Sequence, residues 1–343
     1  MTVQALPGNV RFRAFQLGLQ GSFGTAVDAT RRVPWRFNPT VDPHWTFPDV
    51  DTGTLDPAIA PYRMATDVTG QAQGPLAAND AQILWSLLLK GGITPTGAVA
   101  KSWAIQPAST SADPYDVVSA EWGDEVTGDQ FRYFDGIIDQ LQLTFPQDLG
   151  PIQAQADFRF GSVEYPHTRQ DLDVDTNPVW MYGADTALYI DDTAGSIGIT
   201  RLVDTMHDAS ITIASNTDVK RFSNGSNTNF NVAGYGRGAR TLESTFNLAK
   251  STQALQEFAD WLNANPVERF VVLDTTSRQF VTGSTPYQQK IKFAGYWFTR
   301  SENAVGSNTT AQLVCRHVVD PDLPSPIDVL VVNGMSTLLA PPA

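Results

Sequence analysis

The chain has 343 residues, 42% of them hydrophobic and 10% aromatic, which is enough for packed cores and excludes a disordered chain. At roughly 150 residues per domain, that length suggests about two domains. Only 17% of the residues are charged, and 36 acids against 23 bases leave a net charge of −13. A protein that grips nucleic-acid phosphates with a basic surface is excluded.

The first thirty-two residues include Arg11, Arg13, Arg31 and Arg32 but no continuous apolar run, so no signal peptide is expected. Period-two alternation over 33–41 predicts a strand, and another is expected over 63–68. A helix is predicted over 79–89: Asn79 can cap it, Gln82 can reach back, and Ile83, Leu84, Leu87 and Leu88 form one apolar stripe. Gly91 and Gly92 close it. A short strand over 102–105 precedes two alternating runs, 139–145 and 152–160, joined by a turn-rich segment at 146–151, which together predict a β-hairpin.

Residues 166–177 carry Asp171, Asp173 and Asp175 and little apolar content, and predict a linker. Beyond it, strands are expected over 209–214 and 240–248. A second helix is predicted over 251–262, with Leu255, Phe258, Ala259 and Leu262 as its core stripe and Asn265-Pro266 as its stop. A strand over 269–273 and a second hairpin, 290–298 with 311–318, follow. The hairpin strands flank a polar connection at 301–310.

The order strand, helix, strand, hairpin therefore occurs twice, about 160–170 residues apart, which points to a duplicated domain. The expected division is a first domain over 1–165, a linker over 166–178, a second domain over 179–325 and a C-terminal tail over 326–343. The fold class expected is mostly β, each copy carrying one helix and one long hairpin.

No residue pattern carries a catalytic or cofactor chemistry. Cys315 lies alone in an alternating run and reads as a buried strand residue; a single cysteine makes no internal disulfide. His44, His167, His207 and His317 show no ligand spacing, so no zinc site is expected. Asp171, Asp173 and Asp175 resemble the start of a calcium loop, but Thr176 stands where the turn needs Gly and Tyr182 where the bidentate Glu belongs. The glycine-rich 234–238 leads into a strand and not into the helix N-terminus that a phosphate cradle needs. Acid pairs such as Asp49/Asp51 and Asp191/Asp192 have no specific spacing. Trp35, Trp45, Trp103, Trp122 and Trp297 read as core aromatics before they read as a sugar platform. Catalytic, cofactor and metal residues are expected to be none, and the chain is expected not to be an enzyme. Apolar stretches around 83–89 and 329–332 are too short for a membrane helix, so no membrane partner is expected.

Four segments together resemble one family. The opening Phe15-Gln16-Leu17-Gly18-Leu19-Gln20-Gly21-Ser22-Phe23-Gly24-Thr25-Ala26-Val27 is similar to the start of the major tail proteins (tail tube proteins) of long-tailed bacteriophages, with Gln20-Gly21-Ser22 in place of the usual acid. Leu84-Trp85-Ser86-Leu87-Leu88-Leu89-Lys90-Gly91-Gly92 resembles that family's leucine-rich helix. Phe134-Asp135-Gly136-Ile137-Ile138-Asp139-Gln140-Leu141-Gln142-Leu143 resembles its hairpin strand, and 209–216 its second copy. The likeness spans residues 10 to 320 and lies in order and pattern.

The resemblance implies two tandem tail-tube-like, barrel-forming β-sandwich domains, in a duplicated form that leans towards the siphovirus type. It implies a structural virion protein that stacks as rings, trimeric and pseudo-hexameric or hexameric, into the conduit for genome DNA. The implied partners are further copies of the chain, the tape measure protein, the tail terminator and the baseplate or distal tail protein. DNA passes through the lumen without specific binding, and the acidic total charge of the chain suits the passage of a like charge. The implied location is the virion tail, after synthesis in the bacterial host cytoplasm. A carbohydrate-binding or hydrolytic β-sandwich, as a receptor-binding accessory of the virion, is the alternative.

Overall fold

Alternating apolar and polar residues put one face of a strand into a core and leave the other wet, and the chain repeats this motif almost end to end. A computed structural model describes residues 13–47, 61–63, 65–108, 113–124, 128–221, 232–260, 266–305 and 308–340. The fold is mostly β.

The first half contains β1 (Arg13–Leu19), β2 (Arg31–Val33), β3 (Arg36–Asp42), β4 (Trp45–Thr46), β5 (Tyr62–Arg63), β6 (Asp67–Pro75), α1 (Ala81–Leu88), β7 (Lys101–Ile105), β8 (Val118–Asp124), β9 (Asp129–Phe145), β10 (Gln153–Phe160) and β11 (Ser162–Glu164). The second contains β12 (Thr186–Asp191), β13 (Arg201–Leu202), β14 (Met206–Ala214), β15 (Asp218–Lys220), β16 (Gly234–Gly236), β17 (Thr241–Ala249), α2 (Thr252–Asp260), β18 (Glu268–Thr282), β19 (Thr285–Val305), β20 (Asn308–Val318) and β21 (Ile327–Asn333).

Seven antiparallel pairings recur in both halves. In the first, β2–β1–β8–β9–β11 form one layer and β3–β6–β10–β9 the other, the long β9 bending from layer to layer. In the second, β13–β12–β18–β19–β21 and β14–β17–β20–β19 repeat that scheme, with β19 in the part of β9. The match reaches single residues. The bulge skips Asp139 in β9 and Phe298 in β19, 159 positions apart, the same separation as Gly136 and Gly295. Along the strands entering each second layer, Phe37 corresponds to Ala209, and the positive-φ residues His44 and Asn216 share that separation of 172.

Two further ladders join the halves. β14 pairs with β9, so both hairpins lie in one continuous layer, and β21 pairs with β7 as well as with β19. Residues 326–343, expected as a tail, thus include a strand shared by both halves. Asn333 fixes it: its amide donates to the Ala78 carbonyl and Gln82 Oε1, and its Oδ1 accepts from Trp103 Nε1 at 3.1 Å.

The first helix forms where predicted, but its N-cap is Asp80, with no side-chain cap bond, because that carboxylate is committed to Arg31 at 2.6 Å. Gln82 does reach back, onto the Asn79 carbonyl at 2.7 Å. All eight residues of α1 are buried. The second helix corrects the expected stripe. Leu255 is 50% exposed and Ala259 is exposed, whereas Ala254, Glu257 and Phe258 face the core; Leu262 lies outside the described residues. A charged residue on the inner face misled the periodicity: Glu257 is buried because Arg269 Nε and Trp297 Nε1 both donate to it, at 2.7 and 3.0 Å. Truncating Phe258 to Ala is expected to cost about 3–5 kcal/mol in urea unfolding; a change below 1 kcal/mol would show that its burial is energetically empty.

The expected polar connection at 301–310 is also corrected. β19 runs on to Val305 and β20 restarts at Asn308, so most of it is ladder. Polar residues on both faces hide a strand from any test of alternation. The 63–68 strand divides into β5 and the start of β6, and the 269–273 strand lies in the first part of the 15-residue β18.

Candidate functional surface

Several of the residues weighed for chemistry are engaged by neighbours in the fold. Cys315 is buried, and burial pushes its thiol up to about 12. Asp191 accepts from the amides of Gly198, Ile199 and Thr200, while Asp192 pairs with Arg269 at 2.7 Å; Asp49 and Asp51 lie outside the described residues. Asp171 and Asp173 are exposed and Asp175 half-buried. The stretch 234–238 holds β16 and Arg237, which donates to the Leu89 carbonyl at the C-terminus of α1. Trp35, Trp103 and Trp297 are core residues and Trp122 is half-buried, but Trp45 is 55% exposed, against expectation.

One cluster was invisible to spacing: ligand atoms of Asp28, Glu121 and His167 lie within 4.8 Å of one another. Its acceptors are engaged. Glu121 receives the amides of Ala29 and Gln170 and sits 3.2 Å from His167 Nε2, and Arg132 holds Asp28 at 2.9 Å. The donor set reads as a staple tying the 166–170 segment to β8. A cleft of about 550 Å³ lies between the halves and is lined in part by Leu89, Arg237, Arg240, His317 and Ile327. There burial lowers the pKa of His317, outweighing the hydrogen bond its Nε2 makes to the Pro326 carbonyl. The unfolded chain takes up that proton near pH 6.5 and the folded chain resists it, so stability should fall as pH drops below about 6.5. Urea midpoints at pH 7.5 and 5.5 should differ less in His317→Gln than in the unchanged chain; an equal difference would remove His317 from the account.

An organised surface is the open face of the layer that contains both hairpins. Its core side carries Phe37, Ala72, Ala156, Leu141, Ile213 and Leu242 in neighbouring strands. One residue along, the opposite side gives the transverse row Arg36, Gln73, Gln155, Gln142, Thr212, Glu243, Arg316. A neighbouring row runs Gln153, Thr144, Ser210, Thr245. Amides and hydroxyls therefore dominate this face, and two of its arginines are held by acids: Arg159 by Asp139 at 2.9 Å and Arg316 by Glu243 at 3.3 Å.

The ladder between the halves shows how one hairpin layer is extended by the next. Ile213 stands opposite Leu141 and Ile211 opposite Leu143. Past the end of β14, the Ser215 amide donates to the Asp139 carbonyl at 2.8 Å and the Thr217 amide to Asp139 Oδ1 at 2.8 Å. The β15–β16 arm then reaches across the first half, where Tyr235 donates to the Asp135 carbonyl at 2.7 Å. The corresponding β4–β5 arm of the first half leaves Trp45 and Phe47 55% and 64% exposed. No family model and no curated protein matches this chain.

Proposed function

We propose that this protein is the tube subunit of a long-tailed bacteriophage tail. Three chains close into a ring of six hairpin units, and rings stack into a conduit for genome DNA. The tape measure protein occupies the lumen during assembly, and terminator and distal tail proteins meet the ends. The observation that supports this reading most directly is the duplicated pairing scheme, with β9 and β14 placing both hairpins in one layer. A subunit that already extends one copy by the next needs only to repeat that step to close a barrel, which leaves no free sheet edge.

The amide-and-hydroxyl face is the wall assigned to the lumen. Such groups offer DNA hydrogen bonds that water replaces equally well, and paired arginines cannot release counterions as free cations do. Low adhesion then rests on a shortage of free cations as much as on the net negative charge. End-on averages of negatively stained, purified protein are expected to show rings with three chains. Six chains per ring with one hairpin per chain at the lumen would overturn the trimer, and a chain that stays monomeric at high concentration would overturn the tube.

A further inference from the structure

Each half extends its hairpin layer at two places, an entering edge and a leaving edge. Within the chain, the entering edge of the second half, β14, is used up by the leaving edge of the first, β9. Among the described residues, β3 pairs with β6 alone, and the 297–305 stretch of β19 pairs only with β20. These are the counterparts of β14 and β9, left without a neighbour on one side. An open edge with its own matching edge at the other end of the chain is a heterologous, head-to-tail interface.

We propose that β3 of one chain adds to β19 of the next in the register already used inside the chain, and that Trp45 seats on Phe298 at the end of that seam. This rests on the tube reading for its closure into a ring. The within-chain pairs Ile213–Leu141 and Ala209–Phe145, shifted by the repeat separations of 172 and 159, become Val41–Arg300 and Phe37–Ala304. The same shift carries Thr217 onto Trp45 and Asp139 onto Phe298.

The side chains at these positions differ in a correlated way. Inside the chain the end of the seam is polar, with the Thr217 amide bonded to the Asp139 carboxylate and Arg159 pairing with the same acid. At the open ends both members are aromatic and exposed, Trp45 at 55% and Phe298 at 52%. Arg316, which occupies the place of Arg159, now stacks on the Phe298 ring, its Cζ 3.7 Å from the centroid. Trp45 and Phe298 both expose most of their rings within one chain; brought together by the seam they become its apolar anchor, beside the Arg316 guanidinium. The polar lock and the aromatic lock also keep the two seams distinct, so that an entering edge suited to one is unsuited to the other.

The test uses the full chain. Val41→Cys and Arg300→Cys, made in separate preparations and mixed under mild oxidation, are expected to cross-link to each other and not to themselves, while Thr40→Cys, on the opposite face, gives at most a tenth of that yield with Arg300→Cys. Trp45→Asp and Phe298→Asp are each expected to shift the sedimenting species from rings to monomer while leaving the melting temperature of the monomer unchanged, since both residues are exposed. Rings that form with neither cross-link nor sensitivity to these two substitutions would overturn this seam and leave the tube standing. An unchanged chain that remains monomeric, together with cysteine variants that give no cross-link, would overturn both.

Discussion

A chain ended after Pro326 is expected not to reach the native fold. The lost segment contains β21, which supplies one neighbour to β19 and the described neighbour of β7, so its removal strands two ladders at once. It also removes Ile327, Val329, Val331, Met335, Leu338 and Leu339 from the core. At about 1.5–3 kcal/mol per fully buried side chain, their loss is on the order of 10 kcal/mol, comparable with the whole stability of a typical domain. Asn333 adds a specific cost, because Trp103 Nε1, the Ala78 carbonyl and Gln82 each lose a buried partner. Far-UV circular dichroism and limited proteolysis should report a largely unfolded or aggregated product. A truncated chain that melts cooperatively within a few degrees of the full one would sink this expectation.

The second large effect concerns Arg31 and Asp80, each 2% exposed and 2.6 Å apart. Arg31 Nη1 also donates to the Ala340 carbonyl at 2.9 Å, so the pair ties β2, the start of α1 and the C-terminal segment together. Arg31→Ala leaves a carboxylate buried without its counter-charge and is expected to cost about 3–5 kcal/mol. Replacing both members with apolar residues, Arg31→Met with Asp80→Leu, removes the stranded charge and should recover a good part of that loss. Urea unfolding of the single and double variants measures this. A double variant as unstable as the single one would mean that Asp80 contributes through its place at the helix start and not through its charge.

Much of this molecule was legible as a string. The alternation of Leu141, Leu143 and Phe145 with Gln140, Gln142 and Thr144 marks a strand that is wet on one side, and the glutamines that mark it become the open face. The stripe of Ile83, Leu84, Leu87 and Leu88 marks α1. The repeated element order is matched only in part by the repeated pairings: β18, which holds the expected strand 269–273, takes the place of β8 and not of β7, the short strand that follows α1. Misreadings came where local signals are mute. Residues 301–305 show no apolar–polar alternation and continue β19 because their backbone is held by β20. Glu257 sits on a core face only because Arg269 and Trp297, from two other strands, satisfy its carboxylate. Asp28, Glu121 and His167 meet through a segment that composition marks as a linker.

By itself the sequence determined the fold class, both helices and both hairpins, because each is written within about ten residues by periodicity and turn composition. Only the tertiary structure decided which edges meet. β14 lies on β9, and β21 is inserted between β19 and β7, more than 200 positions from the latter in the chain. Ladder hydrogen bonds are made by backbone groups common to every residue, so partner choice leaves little local trace. What selects a partner is the match of buried faces at a two-residue period, together with what the arms, bulges and buried polar side chains allow. Those are properties of surfaces that exist only once the chain has folded. The exposed aromatics Trp45 and Phe298 gain their meaning in the same way, as counterparts of a polar contact elsewhere in the molecule.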